Sequence, residues 1–152
     1  MEIIAYEMQF LSKTAQETDI VLEKFIDDFY LEYQQIYNQC FFDMRKELNI
    51  EPYNFYSGIE QLNDKKQNIY VLRNDNTLLG SVACYGNEID DLIVNKAYQN
   101  NGLGRKILLW AIKNIRNNSD EPIVLHVAKW NEKALNLYLD NGFKISKIEK
   151  VR

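Results

Sequence analysis

The chain has 152 residues and a net charge of −4, with 46% hydrophobic and 26% charged residues. This length suits one domain, and the composition excludes a disordered or fibrous chain. The negative charge argues against nucleic acid as the main partner. No apolar run approaches the ~20 residues that span a membrane, and no secretory signal is visible, so we expect no membrane partner. Cys40 and Cys84 lack CxxC spacing, which favours neither a disulfide framework nor a zinc site and is typical of the cytoplasm.

The first third of the chain predicts one strand and one long helix. Residues 2–10 have the composition of a strand. Residues 14–17 fit a capping box, in which Thr14 and Glu17 satisfy each other's backbone N–H groups. Apolar residues then recur at helical spacing and predict a helix that extends toward Leu48: Leu22, Phe25, Ile26, Phe29, Tyr33 and Ile36. Pro52 ends it, and a loop is expected over residues 53–64.

The periodicity then changes to that of strands. Residues 68–73 and 77–85 predict a hairpin, because Asn74-Asp75-Asn76 between them is a turn signal. The elements expected after it are a strand over 88–94, a helix over 102–116, a strand over 123–128, a helix over 131–141 and a strand over 143–151. The order β-α-(α)-β-β-β-α-β-α-β, without a repeat or linker, predicts a single α/β domain over 1–152, its mixed sheet covered on both faces.

One segment between a strand and a helix has the features of an anion site. Gly102 and Gly104 allow close approach of a ligand to the backbone at the start of the helix. The free N–H groups and the dipole of the helix favour phosphate there, and Arg105 and Lys106 add positive charge. Ile107 replaces the third glycine of a dinucleotide fingerprint, and no Gly-Lys-Ser/Thr follows, which disfavours both nucleotide-binding motifs. A plain two-glycine turn remains the alternative.

Two motifs in combination resemble those of the GNAT N-acetyltransferase family. Gln99, Gly102 and Gly104 match its Gln/Arg-x-x-Gly-x-Gly/Ala pyrophosphate loop. Its next motif, Leu-x-Val-x-x-x-Asn-x-x-Ala-x-x-Leu-Tyr-x-x-x-Gly-Phe, is matched at each position by Leu125, Val127, Asn131, Ala134, Leu137, Tyr138, Gly142 and Phe143. The resemblance covers residues ~67–145 and is specific because both motifs occur together. Residues 1–66 agree only in the order of elements.

The resemblance implies a fold, a co-substrate and residue roles. The fold would be a mostly antiparallel sheet with a V-shaped opening where acetyl-CoA enters, and no metal is implied. The strand Leu92, Ile93, Val94 would pair its backbone with pantetheine, and an N–H of Ile93 or Val94 would polarise the thioester carbonyl. The residues implied to cradle the pyrophosphate are Gln99, Asn100, Asn101, Gly102, Leu103, Gly104 and Arg105. Asn131 would contact the pantetheine arm, and Tyr138 would protonate the departing thiolate.

Some of these residues also have structural interpretations. Asn131 is a good helix N-cap, and Tyr138 could be a core residue. Trp110 and Trp130 are expected to be packing residues. His126, the only histidine, alternates with Leu125 and Val127, and we expect a satisfied sheet residue rather than a base.

Glu88 is the candidate general base. It lies six residues before Val94, where some members of the family carry such a base. A carboxylate at the mouth of a turn is the competing interpretation. Asp90 and Asp91 are rivals as base; strand alternation places Asp90 on the Glu88 face and Asp91 opposite, unless a bulge intervenes.

The expected activity is direct transfer of an acetyl group from acetyl-CoA to a primary amine of a small molecule or peptide, by a monomer or homodimer. Residues 1–60 contain 12 acidic and 4 basic side chains, against 10 and 14 in residues 61–152, which favours a cationic acceptor unless the charges are only solvated. Alternatives are a non-catalytic acyl-CoA-binding module and an interaction protein that uses the aromatic region 25–56. Only nine residues follow Phe143, so the final strand of many family members would be absent or another chain would cover the edge.

Overall fold

Seven strands form one sheet in the computed structural model, which describes residues 2–152. The strands are β1 (Ile4–Phe10), β2 (Glu23–Lys24), β3 (Ile69–Asn74), β4 (Thr77–Tyr85), β5 (Glu88–Val94), β6 (Ile123–Ala128) and β7 (Phe143–Lys150). The helices are α1 (Tyr30–Glu47), α2 (Leu103–Arg116) and α3 (Glu132–Asp140). The spatial order is β2-β3-β4-β5-β6-β1-β7. Every pairing is antiparallel except that of β5 with β6, which confirms the predicted mixed, mostly antiparallel α/β fold.

Two separate cores cover the two faces of the sheet. On one face, α2 buries an aliphatic stripe that includes Ile107, Leu108 and Ile112. On the other, α1 buries aromatic side chains that include Tyr33 and Tyr37. The second half of the chain therefore forms the elements that its periodicity predicts, to within one or two residues at each end.

The predicted start of the first helix is wrong. Residues 11–26 contain no helix, and α1 begins at Tyr30 after a 3₁₀ turn. Leu22 packs in the aliphatic core and Phe25 in the aromatic one, which a single helical stripe could not achieve. An extended chain can instead reach both cores around the edge of the sheet, and the Phe25 N–H donates to the Ile69 carbonyl at 2.9 Å. Tertiary packing overrides the helical spacing here.

The neighbour of the last strand comes from the start of the chain. β1 lies between β6 and β7 and pairs with β7 from Ile4↔Lys150 to Phe10↔Phe143. Within residues 2–152 no strand follows β7, which forms one edge of the sheet. The sequence of residues 2–10 predicts a strand but carries no signal for its partners.

No helix within residues 2–152 is long and apolar enough to cross a bilayer.

Candidate active site

The central cleft begins where β5 and β6 separate. The two parallel strands share one register pair, Glu88↔Val124, supported by the Val124 N–H, which donates to the Asn87 carbonyl at 2.9 Å. Beyond that pair, the end of β5 keeps its partners on β4, with Ile93 opposite Ser81. The side of β5 that faces β6 is therefore unpaired toward Val94, and its backbone groups border the V-shaped gap.

A β-bulge re-aims the side chains of β5 at the edge of this gap. Between the pairs Ala83↔Asp90 and Ser81↔Ile93, β5 advances three residues while β4 advances two. Asp91 adopts a positive φ of 51°, which is uncommon for a residue other than glycine. The Asp91 N–H donates to the Asp90 carboxylate at 2.8 Å instead of to a strand. Simple alternation therefore does not hold past Asp90, as a bulge of this kind requires.

The gap opens into a cleft of about 910 Å³. Of the residues predicted to bind acetyl-CoA, all except Asn101 line it: Leu92, Ile93, Val94, Gln99, Asn100, Gly102, Leu103, Gly104, Arg105 and Asn131. The catalytic candidates Glu88 and Tyr138 do not line it. Further residues that line the cleft were not predicted: Cys40, Phe41, Asp43 and Met44 from α1, Lys96, Trp130, and Glu132 and Lys133 from α3.

The loop before α2 is tied to both sides of the cleft. The Gln99 amide donates to the Val94 carbonyl at 3.0 Å, and Lys133 of α3 donates to the Asn100 side chain at 2.9 Å. Gly102 is the N-cap of α2 with a φ of +79°, a conformation that favours glycine. The first turn of α2 contains no acidic residue, so the positive end of its dipole is uncompensated there.

The two tryptophans, Trp110 and Trp130, have different surroundings. Trp110 packs on Tyr70 with ring centroids 5.0 Å apart, as predicted. The prediction that Trp130 is a packing residue is wrong, because the residue is 43% exposed at the wall of the cleft. It precedes the turn into α3, where no neighbouring element covers an indole ring.

Asn131 and Tyr138 are positioned by α3. The Asn131 side chain accepts from the Ala134 N–H at 3.2 Å, so it caps the helix while it also lines the cleft. Tyr138 is buried, and its ring lies 6.0 Å from that of Phe143. Burial raises the pKa of Tyr138 well above its ordinary value, and the negative charges of Asp90 and Asp91 raise it further. Its phenol therefore stays protonated at neutral pH.

Three carboxylates near the start of the cleft have different surroundings. Asp90 is exposed, whereas the Asp91 side chain accepts from the Tyr37 hydroxyl at 3.1 Å. Burial, and then the charge of Asp90, raise the pKa of Asp91 to about 6, against the lowering effects of Tyr37 and Lys65.

Glu88 stands apart from those two carboxylates. Its side chain is 47% exposed and lies beside His126, with Oε2 4.0 Å from Nδ1. His126 is a residue of the strand β6, as expected, and its side chain is 43% exposed.

The aromatic region 25–56 is largely inside the molecule. Phe25, Tyr30, Tyr33, Tyr37 and Tyr56 are each less than a tenth exposed. These five rings form the core under α1, so they are not available to a partner.

Comparisons with known proteins agree with this architecture. Residues 23–143 match the model of the acetyltransferase (GNAT) family. No curated protein has a matching sequence. This chain belongs to the GNAT acetyltransferase family, whose members use acetyl-CoA as acyl donor.

Solved structures share the fold at low identity. A GNAT-family acetyltransferase from Colwellia psychrerythraea has a TM-score of 0.71 at 13% identity, over 97% of this chain and 55% of that one. A GCN5-related N-acetyltransferase from Sphaerobacter thermophilus has 0.63 at 11%, over 99% and 52%. A Pyrococcus horikoshii OT3 protein has 0.65 at 22%, over 88% and 99%. The chain spans about half the length of the first two, and these likenesses show the fold alone.

Proposed function

We propose that this chain is an N-acetyltransferase that moves an acetyl group from acetyl-CoA directly to a primary amine. One observation carries the proposal: the glycine loop of α2 and the unpaired edge of β5 border the same cleft. The loop suits a pyrophosphate, and an unpaired strand edge suits the amide groups of pantetheine. The family membership supplies the acyl donor.

The proposed reaction needs an oxyanion donor and two proton transfers. The amine nitrogen bonds to the thioester carbon as the carbon–sulfur bond breaks. A backbone N–H of Ile93 or Val94 stabilises the charge that develops on the carbonyl oxygen. Tyr138 gives its phenolic proton to the leaving thiolate. Its buried phenol, which the raised pKa keeps protonated, supports this role.

Glu88 is the proposed base, and Asp91 is its rival. Glu88 is solvent-accessible and can take a proton from an incoming ammonium, directly or through water. Asp91 is more enclosed and already accepts a hydrogen bond from Tyr37. The two assignments predict different variants to be inactive. Glu88→Gln should lower turnover most at neutral pH, where an ammonium has to lose its proton, while Asp91→Asn should leave turnover within a few-fold.

The proposed acceptor is cationic: a polyamine, an aminoglycoside-like amine, or a lysine or N-terminal amine in a basic peptide. Glu88, Asp90 and Asp91 all belong to the strand β5, which borders the start of the cleft. Several negative charges in one region raise the local concentration of a cation and its encounter rate, and salt weakens the effect.

An amine panel with acetyl-CoA, followed by release of free thiol, tests the proposal at two salt concentrations. We expect turnover of cationic amines, with kcat/KM falling as salt increases. A preference for neutral or acidic acceptors without salt dependence would contradict the cationic acceptor and leave the transferase intact.

The second candidate is a non-catalytic acyl-CoA-binding module on the same fold. Glu88 and Tyr138 do not line the cleft, and this observation favours it. Binding of acetyl-CoA without turnover of any amine in the panel would identify the chain as such a module.

A further inference from the structure

Three side chains from adjacent strands converge on the sheet beside the cleft. They are Glu7 of β1, His126 of β6 and Glu149 of β7, and one ligand atom of each lies within 4.8 Å of the others. The register explains the convergence. Glu7 is directly opposite His126, and Glu149 is opposite Ala5, two residues along the same face of β1.

Further contacts orient two of these side chains. The Ser146 hydroxyl donates to Glu7 Oε2 at 2.8 Å, which leaves Oε1 at 3.7 Å from His126 Nε2. On the other side of the ring, Glu88 Oε2 lies 4.0 Å from Nδ1. A carboxylate that faces one imidazole nitrogen favours the tautomer with its hydrogen there, as it does for histidines that bind metal through the other nitrogen.

The arrangement leaves a place for a cation. A neutral imidazole has one N–H, yet both nitrogens of His126 face carboxylates. When Nδ1 carries the hydrogen, the lone pair of Nε2 faces Glu7 Oε1 at 3.7 Å, with the Glu149 carboxylate nearby, and a positive ion among these groups removes the repulsion. Lys147 offsets part of the negative charge, with Nζ 3.6 Å from Glu149 Oε1, but three carboxylates surround the ring.

We propose that Glu7, His126 and Glu149 bind one divalent transition-metal ion, with Zn²⁺ as the fitting species. One imidazole nitrogen and two carboxylate oxygens are ligands that zinc accepts, and calcium and magnesium prefer oxygen alone. The side chains are 26%, 43% and 34% exposed, so an ion can reach them and keep a water in the open position. No metal was expected from the sequence, because neither the spacing of the cysteines nor the resemblance to the family implied one.

The ion would link three neighbouring strands on one face of the sheet. Each ligand comes from a different strand, and the three strands are neighbours in the order β6-β1-β7. The Glu7 and His126 positions are far apart in the chain, so the complete site exists only in the folded protein. Zinc would therefore raise the melting temperature, because it binds the folded state in preference to the unfolded one.

Titration of tag-free, metal-free full chain with ZnCl₂ by calorimetry tests the proposal without reference to acetyl transfer. We expect one ion per chain and a rise in melting temperature. His126→Gln should weaken binding at least 100-fold, since it removes a ligand, and Glu88→Gln about 10–100-fold, the usual effect of an outer-shell partner. The visible spectrum of the Co²⁺-loaded chain should show nitrogen and oxygen ligands without a sulfur charge-transfer band.

Two matched variants serve as controls. Glu121→Gln changes an exposed glutamate elsewhere, and Cys40→Ser removes the more accessible thiol. Both should bind zinc as the parent does. Undetectable binding, unchanged binding in His126→Gln, or loss of binding in Cys40→Ser would each overturn the proposal.

Discussion

The two faces of the sheet are built from different kinds of side chain. Under α2 the core is mainly aliphatic, with Ile107, Leu108 and Ile112 almost fully buried. Under α1 it is rich in tyrosine, and the hydroxyls of Tyr30, Tyr33 and Tyr56 are buried without a hydrogen-bond partner among the residues described. An aliphatic core stabilises the face that carries the glycine loop, whereas the tyrosine face keeps polar groups inside.

The two faces of the sheet therefore suit different roles in the proposed function. The α2 face holds the glycine loop, which in the proposed function binds a co-substrate of constant shape and charge, and a rigid aliphatic core suits that role. The α1 face holds Asp91 against Tyr37, with a positive φ and an unfavourable burial of charge. Residues that lower stability and lie near a cleft are typical of functional sites.

Tyr138→Phe should lower turnover by roughly 10²–10⁴, the usual contribution of a positioned general acid. The change removes only a hydroxyl, so folding and binding of acetyl-CoA should stay normal. Steady-state kinetics and the thermal shift with acetyl-CoA measure both. Turnover within a few-fold of the parent would make Tyr138 a core residue of the α2 face and nothing more.

Leu108→Ala should lower the free energy of unfolding by about 2–5 kcal/mol, because it leaves a cavity in the aliphatic core. Urea unfolding measures the loss. Leu31→Ala on α1 is the matched control, since Leu31 is 75% exposed and its truncation should cost little. Similar losses in both variants would contradict the assignment of Leu108 to the core.

Gly104→Val should abolish most of the stabilisation by acetyl-CoA. A ligand that binds only the folded state raises the free energy of unfolding by about 2.7 kcal/mol when its concentration is 100 times its dissociation constant. A Cβ at this position would lie 3.6 Å from Leu137 and 3.8 Å from Val94, which is ordinary contact, so the backbone accepts a side chain. The added methyl groups would occupy the cleft instead. The measurement is the thermal shift with and without acetyl-CoA, and an unchanged shift would remove the loop from the binding site.

Asp91→Asn should raise stability at neutral pH by on the order of 2 kcal/mol, after allowance for partial solvent exposure. The pKa of Asp91 is raised from 3.8 to about 6, so between these values the folded state binds more protons than the unfolded state. Its contribution to stability is therefore full below pH 3.8 and is lost as the pH rises through 6. Urea unfolding from pH 4 to pH 7.5 should show this decline in the parent and not in the variant. A decline of equal size in both would assign it to another group.

Tyr30→Phe should change the free energy of unfolding by less than about 1 kcal/mol, or raise it, because the lost hydroxyl is buried without a partner. The same urea measurement applies. A loss above 2 kcal/mol would mean that the hydroxyl has a stabilising partner. Its burial under α1 would then not lower the stability of the fold.

Local sequence signals are sufficient to predict the helices and strands of the second half of the molecule. The elements from β3 to β7 agree with its periodicity, and six residues of the two motifs line one cleft: Gln99, Gly102, Gly104, Asn131, Ala134 and Leu137. These signals are local: a turn at Asp75, two glycines before a helix, and an apolar stripe from Leu103 to Ile115 each act within a few residues. The pairing of β3 with β4 and of β4 with β5 follows because sequential strands usually lie side by side.

The features that depend on contacts between distant parts of the chain can be seen only in the tertiary structure. The place of β1 between β6 and β7, the extended path from Leu22 to Phe25 and the bulge at Asp91 have no local signal. The convergence of Glu7, His126 and Glu149 arises in the same way, since it depends on how β1 pairs with β6 and β7, which are distant from it in the chain. Strand pairing is fixed by burial on both faces of the whole sheet, and a single segment contains only its own half of that information.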